Sequence, residues 1–365
     1  MFIKKLSLKN FRNYQQAQLD FSKNINIIIG NNAQGKTSLI EGIYALSTTK
    51  SHRTSKDAQM MNLTAEFARV DATVTPIDDE DFDLSLALTK KGKTAKYNGA
   101  AASKLTAYIG KLKTVFFAPE DLELIKGSPT IRRKFLNMEI GQIDGLYLHH
   151  LSTYNKILKQ RNELLKQPTV DEIMLEVLTE QMISPLMYLI NRRIWFLQAL
   201  EQHAKLLHQF ITDEKEEIAF QYNDSLKIET MTEASLQDKF KSTLAVDKKL
   251  RTTTVGPHRD DFTIAIDGMN AHDYASQGQQ RTAILSIKLA EIDLIKEVTG
   301  DYPVLLLDDV LSELDDGRQV KLLASTKDKT QTFITTTNIS GISEEIIEIS
   351  DIFVVNDAKI GEYNE

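Results

Sequence analysis

Alternation opens the chain. Ile3, Leu6, Leu8 and Phe11 lead into a polar Arg12-Asn13 pair, and Ala17, Leu19 and Phe21 follow, a pattern that predicts a hairpin. The run Ile25–Ile29 is short and almost wholly apolar, as a buried strand should be. Leu39, Ile40, Ile43 and Leu46 then recur at helical spacing and predict a helix with one apolar face. Residues 82–88 and 114–117 read as further strands. After Pro119 the period lengthens. Residues 131–167 and 173–210 predict long helices, broken at Pro168 and kinked or restarted at Ser184-Pro185. Strand signals return at 218–222 and 262–266, a helix is expected over about 278–298, and 304–307 predicts another buried strand. No internal repeat or low-complexity tract interrupts this order.

The chain thus leaves an α/β lobe, builds a helical lobe and returns. The expected division is 1–127 for the first part of the α/β lobe, 128–250 for a mainly helical second lobe, and 251–365 for the second part of the first. With 365 residues and 42% apolar composition there is ample chain for a core. The absence of cysteine excludes disulfides, thiolate catalysis and zinc fingers. No apolar run approaches the ~18 residues of a membrane span, and the first residues have no apolar signal core, so a cytoplasmic protein is expected.

The net charge of −7 argues at first against nucleic acid. Read by segment, it hides two basic stretches. Residues 1–56 carry nine basic side chains against Asp20 and Glu41, and residues 84–119 carry seven lysines and no acid. The segment between them is acidic around Asp78–Asp81. Such lysine runs are usually solvated faces, but they leave room for a polyanion. Lys50, Arg53, Lys56, Lys91 and Lys93 are the candidate DNA contacts.

Gly30-Asn31-Asn32-Ala33-Gln34-Gly35-Lys36-Thr37 fits G-x-x-x-x-G-K-[ST] without a mismatch, between a predicted strand and a predicted helix that continues into Ser38. This spacing lets backbone N–H groups converge on phosphates, with Lys36 on the β and γ oxygens and Thr37 on Mg²⁺. A magnesium carboxylate is then expected on a neighbouring strand. The run 304–307 ends in Asp308 and Asp309: Asp308 would hold Mg²⁺ and Asp309 would orient water. Ala275-Ser276-Gln277-Gly278-Gln279 resembles the signature of ABC-type ATPases, and Ser312-Glu313-Leu314-Asp315 resembles their D-loop, with Ser312 and Asp315 as its key residues. In that class the signature reaches the γ-phosphate held by another subunit, so the resemblance implies an ATP-dependent homodimer.

Further motifs resemble one family over essentially the whole chain and in its order. They are Lys9-Asn10-Phe11-Arg12-Asn13-Tyr14, Lys50-Ser51-His52-Arg53, Phe117-Ala118-Pro119-Glu120-Asp121-Leu122, Lys126-Gly127-Ser128-Pro129 with Arg132-Arg133 and Phe135-Leu136, and Gly256-Pro257-His258-Arg259-Asp260-Asp261. Together with the nucleotide motifs they are similar to the bacterial RecF family of recombination and repair proteins. The resemblance implies an α/β P-loop ABC-type ATPase head, SMC-like, with an inserted compact helical lobe. It also implies ATP and Mg²⁺ as cofactors, DNA binding at gaps with RecR and RecO, RecA loading downstream, and roles in SOS induction and replication-fork maintenance. The competing reading is an ABC-type motor or transporter subunit.

Several positions depart from the broader class. Asp309 stands where Glu is usual after the Mg²⁺ carboxylate, so slow hydrolysis is expected. Asn338 stands where transporters place a switch histidine, Glu120 is a candidate for the Q-loop position, and Asn137 stands where relatives commonly carry Asp. His52 with Arg53, and His258 with Arg259, are loop pairs of the ATPase lobe that could meet nucleotide, DNA or a second subunit. The single Trp195 is expected in the core.

Overall fold

The computed structural model describes residues 1–77, 79–339 and 342–362; Asp78, first of the expected acidic cluster, lies outside them. In chain order come β1 (Phe2–Phe11), β2 (Tyr14–Asp20), β3 (Ile25–Ile29), helix α1 (Lys36–Thr48), β4 (Phe67–Thr75), β5 (Phe82–Thr89), β6 (Gly92–Tyr97), β7 (Ala100–Ala101), α2 (Leu105–Tyr108) and β8 (Thr114–Phe117). The helical stretch follows with α3 (Glu123–Lys126), α4 (Pro129–Ile143), α5 (Gly145–Leu165) and α6 (Glu172–Thr212), then β9 (Ile218–Asn223), α7 (Glu233–Leu250), β10 (Asp261–Ile266), β11 (Met269–Asn270) and α8 (Ala271–Tyr274). The chain ends through α9 (Gln277–Thr299), β12 (Val304–Asp308), α10 (Asp316–Thr326), β13 (Thr332–Thr336), α11 (Glu344–Glu348), β14 (Ser350–Asn356) and β15 (Lys359–Glu362).

Two compact units result. One comprises residues 1–121 and 284–365, the other 122–283, so helix α9 runs from one into the other. The sequence places the helical lobe at 128–250; in the fold the unit takes in residues 122–127 and 251–283 as well, the latter because β10 pairs along its whole length with β9.

The first unit holds two six-stranded sheets, in the orders β2-β1-β4-β5-β6-β7 and β15-β14-β3-β13-β12-β8. The first is antiparallel. Its strands alternate, and Ile3, Leu6, Leu8, Val70 and Leu86 are fully buried on its inner face. The second is parallel apart from the β14–β15 hairpin, and β3, β12 and β13 are buried on both faces, which explains their mainly apolar or threonine runs, broken by Asn26 in β3 and ended by Asp308 in β12. Helix α1 touches β1, β4 and β5 on one side and β8, β12 and β13 on the other. Lying between the sheets, it buries nearly its whole surface, where the sequence pattern suggests one apolar face.

The second unit packs α4, α5, α6 and α7 with the three-stranded sheet β11-β10-β9. The predicted helix over 131–167 is two helices, α4 and α5, separated by Asp144, whose carboxylate caps α5 through the Tyr147 N–H. The predicted restart at Ser184-Pro185 does not occur, and α6 is assigned as one helix of 41 residues through Pro185. This helix is the most apolar long segment among the described residues, though Ser184, Asn191 and Arg192-Arg193 interrupt its apolar run. An 18-residue window of it has mean hydropathy 1.3, apolar enough to cross a membrane by length and composition, with 44% of the window buried. Its packing on α5, α7 and β9 accounts for that character. Trp195 is half-buried beneath the Arg192 guanidinium, 4.0 Å from its ring centroid, and is not a core residue.

Candidate functional site

The phosphate loop occupies the turn from β3 into α1. A Cβ on Gly30 would fall 2.2 Å from the Val355 carbonyl oxygen of β14, so only glycine fits there. Gly35 has φ 120°, and its carbonyl accepts the Tyr14 hydroxyl at 3.1 Å. On the opposite side the β14–β15 turn holds Gln34. The Asp357 N–H donates to its side-chain oxygen at 2.6 Å, and the Ala358 N–H to its carbonyl at 2.9 Å. Helix α1 starts with no capping side chain and no acid in its first turn. Its first N–H groups and the positive end of its dipole are therefore available to an anion.

Lys36 Nζ donates to the carbonyls of Gly30 and Asn31 at 2.6 and 2.9 Å. Burial lowers the pKa of this ammonium, and Asp309 and Asp308 oppose the shift.

The carboxylate partner arrives from an unexpected strand order. Asp308 ends β12, but β12 is not beside β3: β13 lies between them. Thr335 on β13 is in register with Asp308 and fills the gap. The Thr37 hydroxyl donates to Asp308 Oδ1 at 3.0 Å and the Thr335 hydroxyl to the same oxygen at 2.7 Å. Burial raises the pKa of Asp308, the Thr335 and Thr37 hydrogen bonds hold it down, and Glu120 and Asp309 push it up again. Asp309 follows in a left-handed conformation, φ 56°, with its N–H on Thr335 Oγ1 at 2.9 Å and its carbonyl accepting the Ser312 hydroxyl at 2.8 Å. That backbone exposes its side chain to solvent beside the loop.

A cleft of about 1080 Å³ opens over these groups. Asn32, Ala33, Gly35, Lys36, Thr37, Ser38, Asp309 and Thr335 form its floor, and Arg12, Asn13, Arg53, Gln59, Met61, Asn62 and Leu63 form its rim. Sequence reasoning missed Thr335 and the roles of Arg12, Asn13 and Asn62 as lining. The polar turn between β1 and β2 was the available signal for Arg12 and Asn13; Thr335, one of the threonines that make up most of β13, carries no such signal. Arg53, expected as a DNA contact, sits on this cleft.

The remaining candidates are placed separately. Asp315 caps α10 through the Arg318 N–H at 3.0 Å and pairs with the Arg318 guanidinium at 2.6 Å. In the second unit, Ser276 and Gln279 form a reciprocal cap at the start of α9. The Gln279 N–H reaches Ser276 Oγ at 3.3 Å, and the Ser276 N–H reaches Gln279 Oε1 at 2.9 Å. Ser276 Oγ accepts in this pair, and a hydroxyl that accepts keeps its own O–H as a donor. Gln277 and Gly278 form the turn between them, with Gly278 O accepting the Thr282 hydroxyl at 2.9 Å.

Lys50, Lys56 and Lys91 are exposed. Lys93 is not: its ammonium donates to Asp57 at 2.8 Å and to the Thr49 carbonyl at the end of α1 at 2.6 Å, with 15% of the side chain accessible. It closes a helix terminus and is committed internally.

His258 and Arg259 belong to the second unit, which corrects their assignment to the ATPase lobe. His258 Nε2 faces the Thr253 carbonyl at 3.0 Å and must carry the proton, so Nδ1 accepts the Tyr154 hydroxyl at 2.7 Å. Burial lowers its pKa to about 4. Asp260 accepts from Tyr222 and from Ser225, binding β9 to this turn. The motif knits the helical unit together.

The residues fit a nucleoside triphosphate with Mg²⁺. The loop is a cradle that a Cβ would fill, the helix end is uncapped, and Thr37 and Asp308 offer a hydroxyl and a carboxylate within 3.0 Å of each other.

Residues 2–360 match the family described as the RecF/RecN/SMC N terminal domain. The DNA replication and repair protein RecF of Bacillus pumilus (strain SAFR-032) is 46% identical over 372 residues, covering 99% of this chain and 100% of that protein. The solved structure of the recombination mediator protein RecF-ATP in the RecFOR pathway aligns with a TM-score of 0.92 at 34% identity, over 100% of this chain and 98% of that one. An Smc head bound to the C-winged helix domain of ScpA aligns with a TM-score of 0.56 at 16% identity, over 100% and 98%, a likeness of fold.

Proposed function

The chain belongs to the RecF family of DNA replication and repair proteins, and on that premise we propose that it is an ATP-dependent DNA-binding protein of recombinational repair and replication-fork maintenance. It acts in the cytoplasm as a homodimer that closes on ATP, holds DNA at gaps, and works with RecR and RecO to assist RecA loading and SOS induction. The observation that carries the reading is the meeting of Thr37 and Asp308 behind the phosphate loop, at 3.0 Å.

ATP is the substrate of the site. Residues 30–38 bind its phosphates through backbone N–H groups, and Lys36 neutralises the β and γ oxygens. Thr37 and Asp308 would hold Mg²⁺, which supplies further charge neutralisation at the triphosphate. Ser276 and Gly278 of a second copy complete the γ-phosphate site, the serine with its O–H and the glycine by close backbone approach. Ser312 and Asp315 shape the segment beside it. Asp309 orients the attacking water. Its carboxylate is one methylene shorter than the glutamate usual in this class, so hydrolysis is slow and serves to reset the DNA-bound state.

DNA is held by charge. Dimerisation brings two copies of the basic stretches together, which concentrates positive charge locally within an acidic chain, and Lys50, Lys56 and Lys91 are its candidate contacts. Backbone recognition of this kind carries little sequence preference. The test is light scattering and binding to gapped duplex with ATP, with ADP and with Lys36→Ala. ATP should produce a dimer and salt-sensitive DNA binding, and Lys36→Ala neither. Binding indifferent to ATP and to salt rejects the reading.

A further inference from the structure

One carboxylate outside the phosphate loop organises the rim of the cleft. Glu41 lies on α1, one turn beyond Thr37, and is fully buried. It accepts Arg12 through Nε at 2.8 Å and Nη2 at 2.5 Å, and it accepts the Ser51 hydroxyl. Ser51 Oγ in turn accepts the backbone N–H groups of Arg53 and Thr54 at 3.0 and 3.1 Å, so the carboxylate shapes the turn that carries Arg53. The Arg53 guanidinium stands 3.8 Å from Glu41, beyond hydrogen-bond reach, and 49% of its side chain is accessible. Arg12 occupies both carboxylate oxygens. The surplus positive charge of the cluster is therefore left at Arg53, on the cleft that Lys36 also lines.

We infer that Glu41 is a positioning residue for the nucleotide: from inside the phosphate-loop helix it fixes Arg12 and Ser51, and through Ser51 it presents Arg53 to the polyphosphate. The inference rests on the ATP-binding role proposed above. It makes the placement of Arg53 depend on the placement of the helix that follows the phosphate loop. Because Lys50 and Lys56 flank the same turn, the carboxylate also joins the nucleotide rim to two candidate DNA contacts.

The test is equilibrium titration of ATP, ADP and AMP on the full chain as wild type, Glu41→Gln, Ser51→Ala, Arg53→Ala and Glu41→Gln/Arg53→Ala. Removing a charge-assisted interaction should weaken ATP binding by about tenfold in Glu41→Gln and in Arg53→Ala. ADP should suffer less and AMP least, and the double variant should be no weaker than the worse single one. A merely structural role would weaken all three nucleotides alike. If Glu41→Gln does not fold, Ser51→Ala decides, since it leaves the Arg12–Glu41 pair in place and should still weaken ATP more than AMP. Wild-type ATP affinity in the variant that decides, an equal loss for all three nucleotides, or losses that multiply in the double variant overturn the inference. A wild-type chain that binds no ATP instead overturns the functional reading itself.

Discussion

Thr335, on the strand that lies between β3 and β12, donates its hydroxyl to Asp308 at the end of β12 at 2.7 Å. The same oxygen accepts the Asp309 N–H, so one side chain sets both acids. Thr335→Val keeps the shape and removes both bonds. Turnover should fall by roughly tenfold, the scale of a hydrogen bond to a charged group, while ATP affinity changes little. Phosphate-release kinetics at saturating ATP check this; unaltered turnover would remove Thr335 from the site.

Asp309 has φ 56°, a conformation that asparagine tolerates as readily as aspartate. Asp309→Asn therefore deletes the carboxylate without disturbing the backbone. ATP hydrolysis should be nearly abolished, with ATP binding and ATP-dependent dimerisation largely retained. Persistent turnover would assign water activation elsewhere.

His258 ties pH to stability. Its pKa is lowered to about 4 in the folded protein, so between the ordinary value near 6.5 and 4 the unfolded chain binds a proton that the native state does not. Its contribution is present above pH 6.5 and is lost as pH falls towards 4, amounting to about 3 kcal/mol at most. Urea midpoints measured from pH 7.5 to 5 should drop in the wild type and drop less in His258→Gln. Parallel curves would reject the assignment.

Arg193 is 1% exposed, and its partners include Tyr147, Tyr222, the Pro257 carbonyl and Asn137, all neutral. The guanidinium is already desolvated, so a carboxylate at position 137 gains attraction without burying a second unpaired charge. Asn137→Asp should raise stability by about 1 to 2 kcal/mol, read as a higher denaturation midpoint. A lower midpoint would mean that desolvating the new carboxylate outweighs the pair.

Charge reversal at Lys50, Lys56 or Lys91 should weaken DNA binding and flatten its salt dependence by about 0.9 in the log–log slope for each phosphate no longer neutralised. Lys93→Glu should instead lower thermal stability, because Lys93 pairs with Asp57 and caps α1. DNA affinity that ignores all three exposed lysines would move the DNA surface elsewhere.

Most elements were legible because their signals are local. The alternation of Ile3, Leu6, Leu8 and Phe11 and the apolar run of β3 report burial directly, and strand and helix periods differ. Asp144 between α4 and α5 was missed because one capping residue does not disturb a helical period, and β4 and β6 were missed among charged residues on exposed faces.

The phosphate loop could be read from eight consecutive residues because its chemistry lies in the backbone they share. Asp308 at the end of β12 and Asp309 after it could be read too, since a buried strand ending in carboxylates is a local pattern. The sequence alone thus pointed to a nucleoside triphosphate as the ligand class of the site, proposed its phosphate and metal groups, and through its ordered motifs determined the family. Tertiary structure decided the rest. It inserted β13 between β3 and β12, brought Thr335 to Asp308, gathered Arg12 and Ser51 on Glu41, turned Lys93 inward, and joined residues 251–283 to the helical unit. Thr37 and Asp308 are 271 positions apart. Pairings at such separation depend on how sheets and helices pack, which no period along the chain records.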